Sequence, residues 1–240
     1  MALRRAHERH AEGAPPHRWS TFDAKGEHPA LRGLGLLDLL DEEQLGPSDA
    51  ALDGRDHRGE RITYVVDGAL EFDADSGARS VLHAGDFQRH FDSAAKAHGE
   101  RNASSTNWAH VFQIGLRGGS GALVPAHQEH HVSPDARRGS WCVVASNEQR
   151  TSNLELEHDV RILSCLLDPG QTAATPLLPN RAAWLQVVAG RISTGVHALR
   201  AGDGALIRQQ PTISVTAHSA SEVLLIDVPD DHDELLWNGD

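Results

Sequence analysis

The chain has 240 residues, enough for one large domain or two small ones, with 39% hydrophobic and 23% charged residues, the balance of a folded globular protein. Its net charge of −12, with basic residues gathered only in short pairs such as Arg137-Arg138, disfavours direct binding to DNA or RNA. No run of about 18 apolar residues is present, so no membrane-spanning helix is expected.

Residues 1–16 are polar, carry Arg4, Arg5, His7, Arg9 and His10, and lack the apolar centre of a secretory signal. They are expected to form a flexible leader on a cytoplasmic protein. Residues 31–45 hold the strongest apolar run near the start, but Gly33 and Gly35 weaken a helix there. From there the chain reads as short strands at 61–66, 69–72, 80–82, 111–116, 140–145, 160–167, 183–188, 205–207 and 223–228. These runs are rich in Val, Ile, Leu and aromatics, and Gly, Asp, Pro and Ser bound them. Many short strands at this spacing predict an antiparallel sandwich or barrel.

An internal repeat organises the pattern. Val65-Val66-Asp67-Gly68 is followed by Leu82-His83-Ala84-Gly85-Asp86, and Val187-Val188-Ala189-Gly190 by Leu199-Arg200-Ala201-Gly202-Asp203. Each copy reads as a strand, a turn at Gly, a return strand and a second turn at Ala-Gly-Asp. Gly supplies the positive φ of such turns, and the Asp side chain can bond its own backbone there.

Cys142 and Cys165 sit in apolar runs without a CxxC, the setting of buried, reduced thiols. His127, His130 and His131 fall in a polar stretch expected to be a solvated loop. No Gly-rich loop ends in Lys-Ser or Lys-Thr, and no GxSxG elbow is present, so neither a phosphate loop nor a serine hydrolase is indicated.

Several segments together resemble the pirin family. They are 60–68 (Glu-Arg-Ile-Thr-Tyr-Val-Val-Asp-Gly), Gly85-Asp86-Phe87-Gln88, His98-Gly99-Glu100, Leu167-Asp168-Pro169-Gly170-Gln171 and 184–190 (Trp-Leu-Gln-Val-Val-Ala-Gly). The likeness runs from about residue 19 to residue 228. It implies an all-β fold of two tandem cupin barrels (double-stranded β-helices of jelly-roll type), a bicupin. The barrels are expected at 17–125 and 126–240. A monomer is expected, because in bicupins the second barrel covers the face that a single cupin buries by dimerising.

The resemblance also implies a metal in the first barrel, held by three His and one Glu. His98 and Glu100 stand at the positions of the third His and the Glu, and alternate residues of a strand face the same way. Counting back from Thr63 without a gap puts Gly54 and Asp56 at the first two positions. One deletion puts Arg55 and His57 there instead. The candidate ligands are therefore Asp56, His57, His98 and Glu100, a set of nitrogen and oxygen donors suited to Fe(II) or to Ni, Mn, Cu or Zn. Glu100 is also the candidate catalytic base. Two functions stand open. One is a quercetin 2,3-dioxygenase-type oxidoreductase with an altered metal site, acting on an aromatic, flavonol-like molecule. The other is a non-catalytic regulatory or ligand-binding bicupin without metal, taking a small anion through Arg55, Arg58 or Arg101. In the second barrel His197 and His218 stand alone, and no metal is expected.

Overall fold

The computed structural model describes residues 1–13, 16–22, 33–50, 57–73, 79–92, 99–122, 124–125, 127–148 and 153–230. No helix among them is long and apolar enough to cross a membrane. They divide into two compact units, one of residues 10–131 and one of residues 1–9 with 132–230.

The strands of the amino-terminal half are β1 (Ala2–Arg4), β2 (His10–Gly13), β3 (Pro16–Ser20), β4 (Leu37–Leu45), β5 (Gly59–Asp67), β6 (Ala69–Asp73), β7 (Arg79–His83), β8 (Asp86–Asp92), β9 (Glu100–Asn102), β10 (Ala109–Arg117) and β11 (His127–His131). The rest are β12 (Cys142–Ser146), β13 (Leu154–Glu155), β14 (Arg161–Leu167), β15 (Thr172–Pro176), β16 (Arg181–Ala189), β17 (Arg191–Thr194), β18 (His197–Arg200), β19 (Gly204–Arg208), β20 (Thr212–Ala217) and β21 (Ser221–Pro229). In the 10–131 unit a seven-stranded sheet, β11-β8-β5-β10-β4-β3-β2, is accompanied by a three-stranded sheet, β7-β6-β9. Leu45, Val65, Ala109 and Val111 of the larger sheet pack with Leu70, Phe72 and Leu82 of the smaller one. The other unit repeats the plan, with β1-β19-β16-β21-β14-β12-β13 and β15-β20-β17-β18. The architecture is the all-β, two-barrel cupin fold that the resemblance implies.

The repeat is visible atom by atom. Gly68 and Gly190 turn β5 into β6 and β16 into β17 with φ of 80° and 83°. Gly85 N donates to Val65 O at 2.9 Å, and Gly202 N donates to Val187 O at 2.9 Å. Asp86 Oδ2 accepts from His83 N at 2.7 Å, and Asp203 Oδ2 accepts from Arg200 N at 3.1 Å. The two copies thus build the same pair of turns with the same local bonds.

Two expectations differ from the structure. Ala2–Arg4 is not part of a flexible leader: it adds β1 to the edge of β19, in register Leu3↔Ala205. Backbone pairing, and the bonds of Arg5 and Ala6 to Asp203, hold a segment whose polarity alone suggested a loose end. The 127–131 segment is not a loop. It pairs with β8 as an edge strand whose outward residues remain solvated, which is why its composition looked loop-like. The chain passes from one compact unit to the other between residues 131 and 132.

Cys165 is buried, and burial pushes its thiol up to about 11. Cys142, half-buried, is also raised by burial, against an opposing pull from the Arg137 charge. Since the thiolate is the reactive form, native protein near pH 8 should alkylate slowly at Cys142 and not at Cys165 until it unfolds. Equal, rapid modification of both cysteines in native protein, read by mass spectrometry, would contradict these placements.

Candidate functional site

The face that the larger sheet of the 10–131 unit turns to its core is set by Val65 and Val111. Strand alternation puts Thr63 and Arg61 of β5, and Gln113 and Gly115 of β10, on the same face. The register assembles two rows across the sheet. One runs Asp41↔Gln113↔Thr63↔Gln88 and the other Leu39↔Gly115↔Arg61↔His90. Thr63, Gln88, Gln113, Arg61 and His90 are all buried.

Glu100, at the start of β9, meets this wall. Its Oε2 accepts from Gln113 Nε2 at 2.6 Å, and its Oε1 lies 3.5 Å from Thr63 Oγ1. Gln113 Oε1 in turn accepts from Arg61 Nη1 at 2.6 Å. A carboxylate, an amide and a guanidinium are therefore linked in a chain, with the amide and guanidinium buried and the carboxylate partly so. Beside them Gln88 carries an amide Nε2 with no hydrogen-bond partner among the described residues. A buried donor without a partner is costly, which makes this wall receptive to a polar ligand or a water. Further along the face Arg18 donates to Glu43 Oε1 through Nε and Nη2, at 2.9 and 2.7 Å.

The other unit has the same rows with different chemistry. Thr63↔Gln88 corresponds to Leu185↔Ala205, and Arg61↔His90 to Ala183↔Ile207. These four side chains belong to an apolar core that includes Val187, Val223 and Leu225. Its charged inward group is at one end, where Asp227 takes Arg161 and Arg181. The candidate site therefore lies in the first barrel, and the corresponding rows of the second are filled by apolar side chains.

The sequence-derived candidates separate as follows. Glu100 lines the polar wall. His57 is buried, with its ring against Gly115, where an added Cβ would lie 2.7 Å from His57 Cε1. Its Nδ1 is 3.3 Å from Asp38 Oδ1 and its Nε2 is 3.3 Å from the Glu60 carbonyl oxygen. Asp56 and His98 lie outside the described residues, as does Arg55. Arg58 is exposed, and Arg101 is on the surface with Nη2 donating to Glu71 Oε1 at 2.6 Å. Sequence reasoning passed over Arg61, Gln88, His90 and Gln113. The signal for Arg61 was its alternation with Thr63 and Val65, and for Gln88 its place in Gly-Asp-Phe-Gln.

The described residues do not by themselves fit a metal centre. No three His, Cys, Asp or Glu side chains among them come together in a set able to hold an ion. Both ring nitrogens of His57 face protein oxygens, and both oxygens of Glu100 face Gln113 and Thr63.

Comparison with known proteins agrees with this architecture. Residues 143–228 match the quercetinase C-terminal cupin domain. The chain is 28% identical over 230 residues to the quercetin 2,3-dioxygenase of Escherichia coli K12, covering 95% of this chain and 98% of that protein. It is 27% identical to a pirin-like protein of Caulobacter vibrioides, over 83% of this chain and 86% of that one. The crystal structure of the bacterial pirin YhhW of Escherichia coli in complex with nickel(II) superposes with a TM-score of 0.83 at 27% identity, covering 95% of this chain and 98% of that one. Two cupin units related by an internal repeat, a carboxy-terminal match to the quercetinase cupin domain, and likeness to bacterial pirins along nearly the whole length make this chain similar to the pirins.

Proposed function

We propose that the first barrel binds a small hydroxylated aromatic of the flavonol type, and that the protein is a quercetin 2,3-dioxygenase-type oxidoreductase with an altered metal site. The observation that carries the reading is the polar wall of Glu100, Gln113, Thr63 and Gln88 in a barrel whose repeat counterpart is apolar. Glu100 is the base that accepts the proton of the ligand's acidic hydroxyl. The Gln113 amide fixes the orientation of that carboxylate, and the unpartnered Gln88 amide donates to a ligand oxygen. Asp56 or His57, with His98 and Glu100, are the candidate ligands of Fe(II) or a related divalent metal, and to serve so His57 and Glu100 would exchange their bonds to protein atoms for the ion.

One observation favours a second reading, a non-catalytic ligand-binding bicupin. Arg61 is a permanent positive charge on the same buried wall, bonded to the amide that holds Glu100. Such a charge opposes a divalent cation and favours an anionic ligand oxygen.

One experiment separates the two. Purified protein is analysed for metal, titrated with quercetin by fluorescence, and then assayed for quercetin loss in air after adding Fe(II) or Ni(II). Saturable binding and metal-dependent consumption are expected, with Glu100→Gln lowering turnover by about 10²–10⁴-fold and affecting binding less. Binding without consumption under either metal removes the oxygenase reading and leaves the second. Absence of binding removes both.

A further inference from the structure

Outside the first barrel, the unit of residues 1–9 and 132–230 holds a cavity of about 460 Å³ whose mixed lining includes Arg5, Arg191 and Arg200 beside apolar Ile192 and Leu199. Arg191 of β17 and Arg200 of β18 stand directly opposite one another in register. Like charges at opposed positions of neighbouring strands repel and destabilise the pair. Neither guanidinium has an acidic partner among the described residues. His7 and His218 line the same cavity, and His218 Nε2 lies 3.0 Å from Ser193 Oγ.

The acid at this site is already committed. Asp203 Oδ2 accepts from Arg5 Nη1 at 3.0 Å and from Arg200 N at 3.1 Å, and its Oδ1 accepts from Ala6 N at 2.8 Å. Its charge is matched by Arg5, and its lone pairs hold the turn and the amino-terminal segment. Arg191 and Arg200, both exposed, thus have no ion pair among the described residues of a chain whose net charge is −12.

We propose that this cavity is a binding site for the phosphate monoester of a small organic molecule. Arginines at directly opposed strand positions supply two charges to match the two of a phosphate monoester, and a guanidinium can meet phosphate oxygens in bidentate fashion. A monocarboxylate would leave one guanidinium unmatched. The cavity falls within the range of about 300–1,000 Å³ usual for small-molecule sites and leaves room for an organic body beyond the phosphate. The amino-terminal segment, through Arg5 and His7, forms one wall, so β1 and the residues after it complete the site.

The test is calorimetric titration of the full chain with phenyl phosphate at fixed ionic strength, beside benzoate as a monoanion with the same ring. Saturable one-to-one binding of phenyl phosphate is expected. Arg191→Gln/Arg200→Gln should weaken it by about tenfold or more, and each single substitution by less. A readout that needs no variant runs in parallel: phenyl phosphate should protect Arg191 and Arg200 from phenylglyoxal, scored by mass spectrometry. No saturable binding, undiminished affinity in a folded double variant, or unprotected arginines would overturn the site. Benzoate binding as tightly as phenyl phosphate would overturn the assignment to phosphate.

Discussion

Arg89→Met lowers the free energy of unfolding by about 3–5 kcal/mol, because it takes the Arg89 guanidinium away from a fully buried carboxylate. Glu60 and Arg89 have fully buried side chains. Arg89 Nε donates to Glu60 Oε1 at 2.9 Å, with Nη2 2.8 Å from the same oxygen, and Arg89 Nη1 donates to the Pro125 carbonyl. The pair lies on β5 and β8 near the stacked rings of Tyr64 and Phe87, whose centroids are 4.1 Å apart. No water is available at such a position to solvate a lone charge, so the penalty is desolvation without its Coulombic return. The double variant Glu60→Leu/Arg89→Met should recover most of the loss, since an apolar pair of similar volume removes both charges together. Denaturant melts of the single and double variants decide it. A single variant as stable as the parent would show that the pair contributes little.

Gly190→Ala is the second large effect, expected at about 2–5 kcal/mol from two sources that add. The backbone there has φ of 83°, where a side chain is strained. A Cβ would also lie 2.3 Å from Ala220 O and 2.4 Å from Ser221 Oγ, so backbone must move. Gly170→Ala isolates the first source. It has nearly the same φ, 84°, but a Cβ there would meet nothing within 4 Å, so only the conformational cost of about 1–2 kcal/mol applies. The repeat predicts a matching loss for Gly68→Ala, where the Cβ would lie 2.6 Å from Trp108 O. Thermal melts of the three variants should rank Gly190→Ala and Gly68→Ala well below Gly170→Ala. A Gly170 variant as damaged as the other two would mean that the close approach adds nothing.

The same substitutions show why so much of the fold could be read from the chain. Turn glycines need positive φ, and their spacing is set by strand length, so both copies of the repeat had to show the same tokens in the same order. Strands such as β5, β14 and β16, dense in Val, Ile and Leu, announce themselves for a related reason: burial on one or both faces selects those side chains. β4 did not. Its sequence, LDLLDEEQL, shows no clean alternation, yet Asp41, Glu42 and Glu43 are all buried. They are tolerated because charges arrive from elsewhere: Arg18 on β3 reaches Glu43, and His110 on β10 reaches Glu42 at 2.8 Å. A partner supplied by another strand leaves no local trace in the sequence.

The candidate site divides along the same line. Glu100 was legible because it stands in the short motif His98-Gly99-Glu100 on which the resemblance rests. Its environment was not, since Gln113, Thr63 and Arg61 come from strands distant in the chain and are aligned only by sheet register. His57 was legible as a candidate but not in its contacts, which depend on Asp38, Glu60 and Gly115. By itself, then, the sequence determined the two-barrel plan, through glycine turns and β-rich runs that act locally and repeat. Only the tertiary structure decided which barrel keeps a polar interior, where β1 is anchored, and how two arginines come to face each other across β17 and β18. Those outcomes depend on pairing between distant strands, which fixes what lies opposite each side chain and therefore what each charge can meet.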